Sequence, residues 1–168
     1  EVNLAMITSN STTGETATFE EGLFTNSALV VEAAQVVSMP LAMLQEELRS
    51  NNALAFNMLT TMVQYQRRNE LHLERYLLYS APQRIGCFLL GLCPILEQKD
   101  GIILDLPYDK TLIASTLGMQ GATFSRALNI LRDETGLTIS GTRITIVSMG
   151  SLLKFVDGCY SHANHYQL

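Results

Sequence analysis

At 168 residues, 47% of them apolar and only 16% charged, the chain can hold one ordinary domain, or two small ones joined by a long element, around a real hydrophobic core. No apolar run reaches the roughly 18 residues that a membrane-spanning helix needs. The net charge of −5 is carried by the first half: residues 1–80 hold nine acids and four bases, residues 81–168 seven of each. The second half therefore permits contact with a polyanion without offering a broad basic patch.

The opening Glu1-Val2-Asn3-Leu4 has neither Met nor the basic-then-apolar layout of a signal peptide. It alternates like a strand entered partway, so a chain that continues on its N-terminal side is expected. The three cysteines, Cys87, Cys93 and Cys159, are odd in number and lack metal-ligand spacing, which fits reduced thiols in a cytoplasm better than a disulfide framework.

In chain order, residues 1–8 and 27–38 are rich in apolar and β-branched residues separated by Gly14, Gly22 and polar residues, and read as strands of a β domain. Met39-Pro40 opens a short helix, since proline in the first turn loses no hydrogen bond. Asn51 or Asn52 caps a much longer helix running to about Tyr79. It carries two apolar stripes, the first at alternating spacings of three and four. The stripe Met58, Met62, Tyr65, Asn69, His72, Tyr76 is assigned to a seam with a twin helix, and the stripe Phe56, Leu59, Val63, Leu73, Leu77 to the cover of the β domain.

Ser80-Ala81-Pro82 breaks this helix. An apolar helix, Gln83–Leu92, follows, then Cys93-Pro94, a loop Glu97–Gly101 and a strand Ile102–Leu106. Asp109 caps a helix Lys110–Leu117, and Gly118 makes a tight turn into a second helix from Gly121 to Thr135, ended by Gly136. Strands Leu137–Ser140 and Arg143–Val147 form a hairpin at Gly141-Thr142. A last helix, Gly150–Val156, precedes a polar tail.

Helix, glycine turn, helix and two-stranded wing is the winged helix-turn-helix plan, whose second helix enters the DNA major groove. Leu106-Pro107, Leu112-Ile113-Ala114, Leu117-Gly118-Met119 and Thr123-Phe124-Ser125-Arg126-Ala127-Leu128 resemble the DNA-binding half of the Crp/Fnr superfamily, bacterial transcription regulators related to the cyclic-AMP receptor protein. Arg84-Ile85-Gly86 after the helix break, and the long helix before it, resemble the family's junction and dimerisation helix. Gly14-Glu15-Thr16-Ala17 and the spacing to Ser27-Ala28 look like its effector-binding roll. The resemblance covers essentially the whole chain. It implies an α+β architecture: a partial β-roll of the cyclic-nucleotide-binding type over 1–50, a long dimerisation helix over 51–80, and a C-terminal winged helix-turn-helix over 81–168.

By that resemblance Arg126 stands where the family reads base edges, and its planar fork suits guanine O6 and N7. Gln120, Gly121, Ala122 and Thr123 form the helix start that points into the groove. Lys110, Thr111, Thr123, Ser125 and, from the wing, Arg143 are candidate phosphate contacts. Ala122 departs from the glutamate that many family members carry, and offers at best an apolar contact to a thymine methyl. The half-site is therefore expected to differ from the common one at that base.

On the effector side, the pocket positions Gly14, Glu15, Asn26 and Ser27 are degenerate. Asn26 replaces the arginine that neutralises the cyclic phosphate in nucleotide-binding relatives, and no arginine occurs before Arg49. Arg68 and Asn69 stand where nucleotide-responsive relatives carry small hydroxyl residues. Cyclic AMP is not the expected effector; haem or no cofactor at all are both open. Cys159, His162 and His165 make a tail run of zinc-compatible residue types, and no metal site is assigned to it.

The expected partners are double-stranded DNA, a second copy of the chain, and RNA polymerase through Glu97–Gly101. A ligand-binding or oligomerisation module that has lost DNA binding is the alternative. No nucleophile–base pair, phosphate loop or paired carboxylates point to an enzyme.

Overall fold

The structure is a computed structural model that describes residues 7, 11–20, 22–93 and 100–156. Its elements fall into two compact units divided between Glu70 and Leu71, inside the long helix rather than at the Ser80 break.

In the first unit a single turn of 3-10 helix spans Glu15–Thr18, and α1 spans Leu41–Ser50 with Pro40 at its N-cap. The first turn of α1 follows from proline, whose fixed φ suits a helix entry. Asn51 ends α1 and starts α2, Asn52–Leu78, its side-chain oxygen accepting from the Leu54 N–H at 3.1 Å. The strand expected over 27–38 is not formed. This segment is extended or bent and exposed throughout, with Val36 and Val37 among its most exposed side chains. An alternating apolar sequence becomes a strand only when a neighbour takes its backbone hydrogen bonds, and the described residues of this unit contain no strand to do so. The strand read over 1–8 lies almost wholly outside the described residues.

The second unit is built on a continuous core. Helix α3, Ala81–Leu92, begins with Ser80 as its N-cap and Pro82 in its first turn; the Gln83 side-chain oxygen accepts from the Ser80 N–H at 3.0 Å. Proline thus ends α2 and opens α3 at once. Strand β1 is Ile102–Asp105, α4 Lys110–Thr116, α5 Gly121–Thr135, β2 Thr138–Ser140, β3 Arg143–Ile146 and α6 Met149–Phe155. The three strands form one antiparallel sheet in the order β1-β3-β2, so the wing has a third strand supplied from before the helix-turn-helix. Ile85, Leu89, Ile113, Phe124, Leu131, Ile144, Ile146, Leu152 and Val156 are fully buried; each contributes about 1.5–3 kcal/mol by leaving water. Helix α3 packs on α5 and α6. Gly86 makes that closeness possible, because a Cβ there would collide with the Val156 side chain.

Cys87 is buried in this core. Cys93 remains a thiol; its Sγ donates to the Leu89 carbonyl and burial pushes it above the usual thiol range. The tail residues Cys159, His162 and His165 lie outside the described residues.

Candidate nucleic-acid interface

Asp109 sets the start of α4, its Oδ1 accepting from the Thr111 and Leu112 N–H groups at 2.8 Å each. Ile113 and Ala114 then face the core. Helix α4 ends at Leu117, and Gly118 takes φ +66°, a left-handed conformation that costs a side-chain-bearing residue roughly 1–2 kcal/mol. This turn delivers the chain to α5.

Helix α5 buries Phe124, Ala127, Leu128, Leu131 and Thr135. At 3.6 residues per turn, the opposite face carries Ala122, Ser125, Arg126, Asn129 and Asp133, all exposed. Gln120 and Gly121, at the helix start, are exposed as well, and Thr123 is half-buried. The Ser125 hydroxyl donates to the Gly121 carbonyl at 3.0 Å. Arg126 Nε donates to the Ala122 carbonyl at 3.2 Å, so the guanidinium lies back along the first turn of its own helix. Lys110 is half-buried and Thr111 exposed on α4. The expected base-facing residues thus share the start and outer face of one helix.

Arg143 has a different setting. It lies opposite Asp105 in the β1–β3 register, and its Nε and Nη2 donate to the two Asp105 carboxylate oxygens at 3.0 and 3.4 Å. The carboxylate holds Arg143 above the usual guanidinium value through that hydrogen bond and its charge. A phosphate would have to compete with Asp105 for this side chain. Nothing in the spacing of 105 and 143 shows this, because it depends on β1 joining the sheet.

The solved structures with this architecture include one described as a cyclic nucleotide binding protein, from Ruegeria pomeroyi DSS-3. It is 27% identical with a TM-score of 0.53, covering 70% of this chain and 50% of the other. A CooA mutant from Carboxydothermus hydrogenoformans, 20% identical, shares the fold with a TM-score of 0.56, over 70% of this chain and 55% of that one. Residues 83–155 match the Crp-like helix-turn-helix domain. That stretch is a Crp-like helix-turn-helix domain.

Two global nitrogen regulators, from Nostoc sp. and Synechococcus elongatus, are 26% and 29% identical to this chain over 121 residues, in each case 71% of this chain and 54% of the relative. The chain spans about half the length of the curated relatives it matches.

The stripe expected to pair in a dimer and the expected effector positions lie outside the matched domain. On α2, Met58, Met62 and Tyr65 are half-buried, and the Tyr65 hydroxyl donates to the Thr12 carbonyl of its own chain at 3.0 Å. Asn69, His72 and Tyr76 are exposed. The other stripe, Phe56, Leu59, Val63, Leu73 and Leu77, is 58–70% exposed. Gly14 has φ +91° and lies against the Phe24 ring. One Glu15 carboxylate oxygen is buried without a hydrogen-bond partner, while Asn26 and Ser27 are exposed. Among the described residues no hydrogen bond joins these four positions, and no group of acidic, histidine and cysteine side chains could hold a metal. No described helix is long and apolar enough to cross a membrane.

Proposed function

We propose that this chain acts in transcription regulation by binding a near-palindromic DNA site as a homodimer in the cytoplasm, with α5 in the major groove and the β2–β3 hairpin beside it. The observation that carries this reading is α5 itself. Its apolar face is held in the core by α3 and α4, and its small and polar face, from Gln120 to Asn129, is left exposed. Two subunits paired along α2 would set their α5 helices about 34 Å apart, one turn of DNA. RNA polymerase is a candidate partner through Glu97–Gly101, most of which lies outside the described residues. Cyclic AMP is not its effector on this reading, because Asn26 supplies no charge to a bound phosphate.

The seam of the proposed dimer is the stripe Phe56, Leu59, Val63, Leu73, Leu77. The stripe first expected there, Met58, Met62 and Tyr65 onward, is partly taken up within the chain. Positions 56, 59, 63, 66, 70, 73 and 77 alternate in steps of three and four, the repeat of a two-stranded coiled coil. Its middle positions are Gln66 and Glu70, whose side chains are hydrogen-bonded at 3.1 Å; polar residues within a seam set register at a cost in stability.

The test is a selection of bound sequences from random duplex DNA, with Arg126→Ala alongside. An enriched palindrome with half-sites one turn apart, one of whose base preferences is lost in the variant, supports the reading. No enrichment from a folded dimer favours a module without DNA binding, a reading to which the Asp105–Arg143 pair lends some weight.

A further inference from the structure

The groove-facing side of α5 is bare over its first turns. Gly121 has no side chain, and a Cβ placed there would meet nothing within 4 Å. Ala122 ends at a methyl group, and the Ser125 hydroxyl is turned back onto the Gly121 carbonyl. Long side chains at such positions hold a recognition helix away from the base edges. Without them the helix can lie deeper in the groove, and residues one turn further along come within reach.

Asn129 is the residue so placed. At about 100° per residue, Ala122, Arg126, Asn129 and Asp133 project within a stripe of about 60°, opposite the buried Phe124, Leu128 and Leu131. Asn129 is exposed, and its amide makes no hydrogen bond among the described residues. Beyond it the stripe ends in Asp133, an acid that pairs with Arg132 at 2.9 Å and would repel a phosphate.

We propose that Asn129 is a specificity-determining residue that reads an adenine, as the partner of Arg126 reading a guanine. This rests on the DNA-binding reading above. The asparagine amide matches the acceptor N7 and donor N6 of adenine in the major groove, as the arginine fork matches the two acceptors of guanine. The two residues lie about 4.5 Å apart along the helix axis, against a rise of about 3.4 Å per base pair. They therefore address neighbouring or next-neighbouring base pairs, and each half-site should carry a guanine and an adenine within that distance.

Selection from random duplexes with the full chain, Asn129→Ala, Asn129→Lys and Arg126→Ala tests this. The expected result for Asn129→Ala is a loss of adenine preference of about tenfold or more at one position per half-site, with the guanine retained. Asn129→Lys should replace that adenine by guanine, a change that no purely structural role of the asparagine would produce. Arg126→Ala should lose the guanine and keep the adenine preference. If Asn129→Ala weakens all sequences equally, the residue is a phosphate contact; if it changes nothing, the residue lies outside the interface. Either result overturns the proposal while the enriched palindrome leaves the proposed function standing. No enrichment by the unmodified chain overturns both.

Discussion

The Arg84 guanidinium lies over the ring of Tyr76, its central carbon 4.8 Å from the ring centroid. Tyr76 lies in the last turns of α2 and Arg84 in the first turn of α3, so the contact spans the Ser80 break and ties the end of the long helix to α3. Arg84 Nε and Nη1 are buried and have no hydrogen-bond partner among the described residues. The ring face therefore supplies much of what compensates this charge, an interaction worth about 0.5–2 kcal/mol at partly desolvated sites. Tyr76→Leu keeps an apolar cover and removes the ring; it should lower unfolding stability by about that amount. In an Arg84→Met background the same change should cost clearly less, as read from a double-mutant cycle in urea. Equal costs in the two backgrounds would show that the stacking contributes nothing.

Gly118 sits under the same ring. A Cβ added there would come within 3.1 Å of Tyr76, on a backbone already at φ +66°. Gly118→Ala should cost about 1–2 kcal/mol from the left-handed conformation alone, with a further cost from the ring. Combining it with Tyr76→Leu should recover only the second part. Thermal unfolding of the two variants and their combination separates the contributions.

Asp105 should restrain DNA affinity through Arg143. The pair is exposed, so breaking it should leave stability little changed. Asp105→Asn releases a cation at the wing, and the plot of log K against log salt should steepen by about 0.9 per subunit. An unchanged slope in fluorescence anisotropy titrations would mean that Arg143 does not reach a phosphate.

Dimerisation along α2 is expected to respond to one stripe and not the other. Leu73→Lys should convert the dimer to monomer in sedimentation velocity, whereas Met62→Gln should leave the dimer in place. Glu70→Leu should tighten association by removing a polar seam position. The reverse pattern would return the seam to Met58, Met62 and Tyr65.

Cyclic AMP should show no micromolar binding in calorimetry. Asn26 is exposed and uncharged, so it offers the cyclic phosphate neither a cation nor an enclosed site. Binding at that affinity would refute the expectation and point to a cation elsewhere in the chain.

The order helix, turn, helix, wing was legible in the residues because each boundary has a local cause. Asp109 caps α4, Gly118 and Gly136 take left-handed conformations, and the apolar positions of α5 repeat at the helical period. These signals act within a few residues and survive in any tertiary context. The stripes of α2 could also be read, but not their roles, because the spacing of Tyr65 does not say that Thr12 will receive its hydroxyl. The pairing of β1 with β3 brings Asp105 to Arg143, and the Ser80 break lays Arg84 on Tyr76; both join residues that no local pattern connects. Residues 27–38 illustrate the same limit from the other side, since their strand-like alternation needs a neighbouring strand that their own composition cannot supply. Local signals along the chain were enough for the helices, turns and wing of residues 81–156, through forces that act between near neighbours. The tertiary structure alone decided which faces are covered and which charges are paired, because burial and pairing depend on what the rest of the fold brings near.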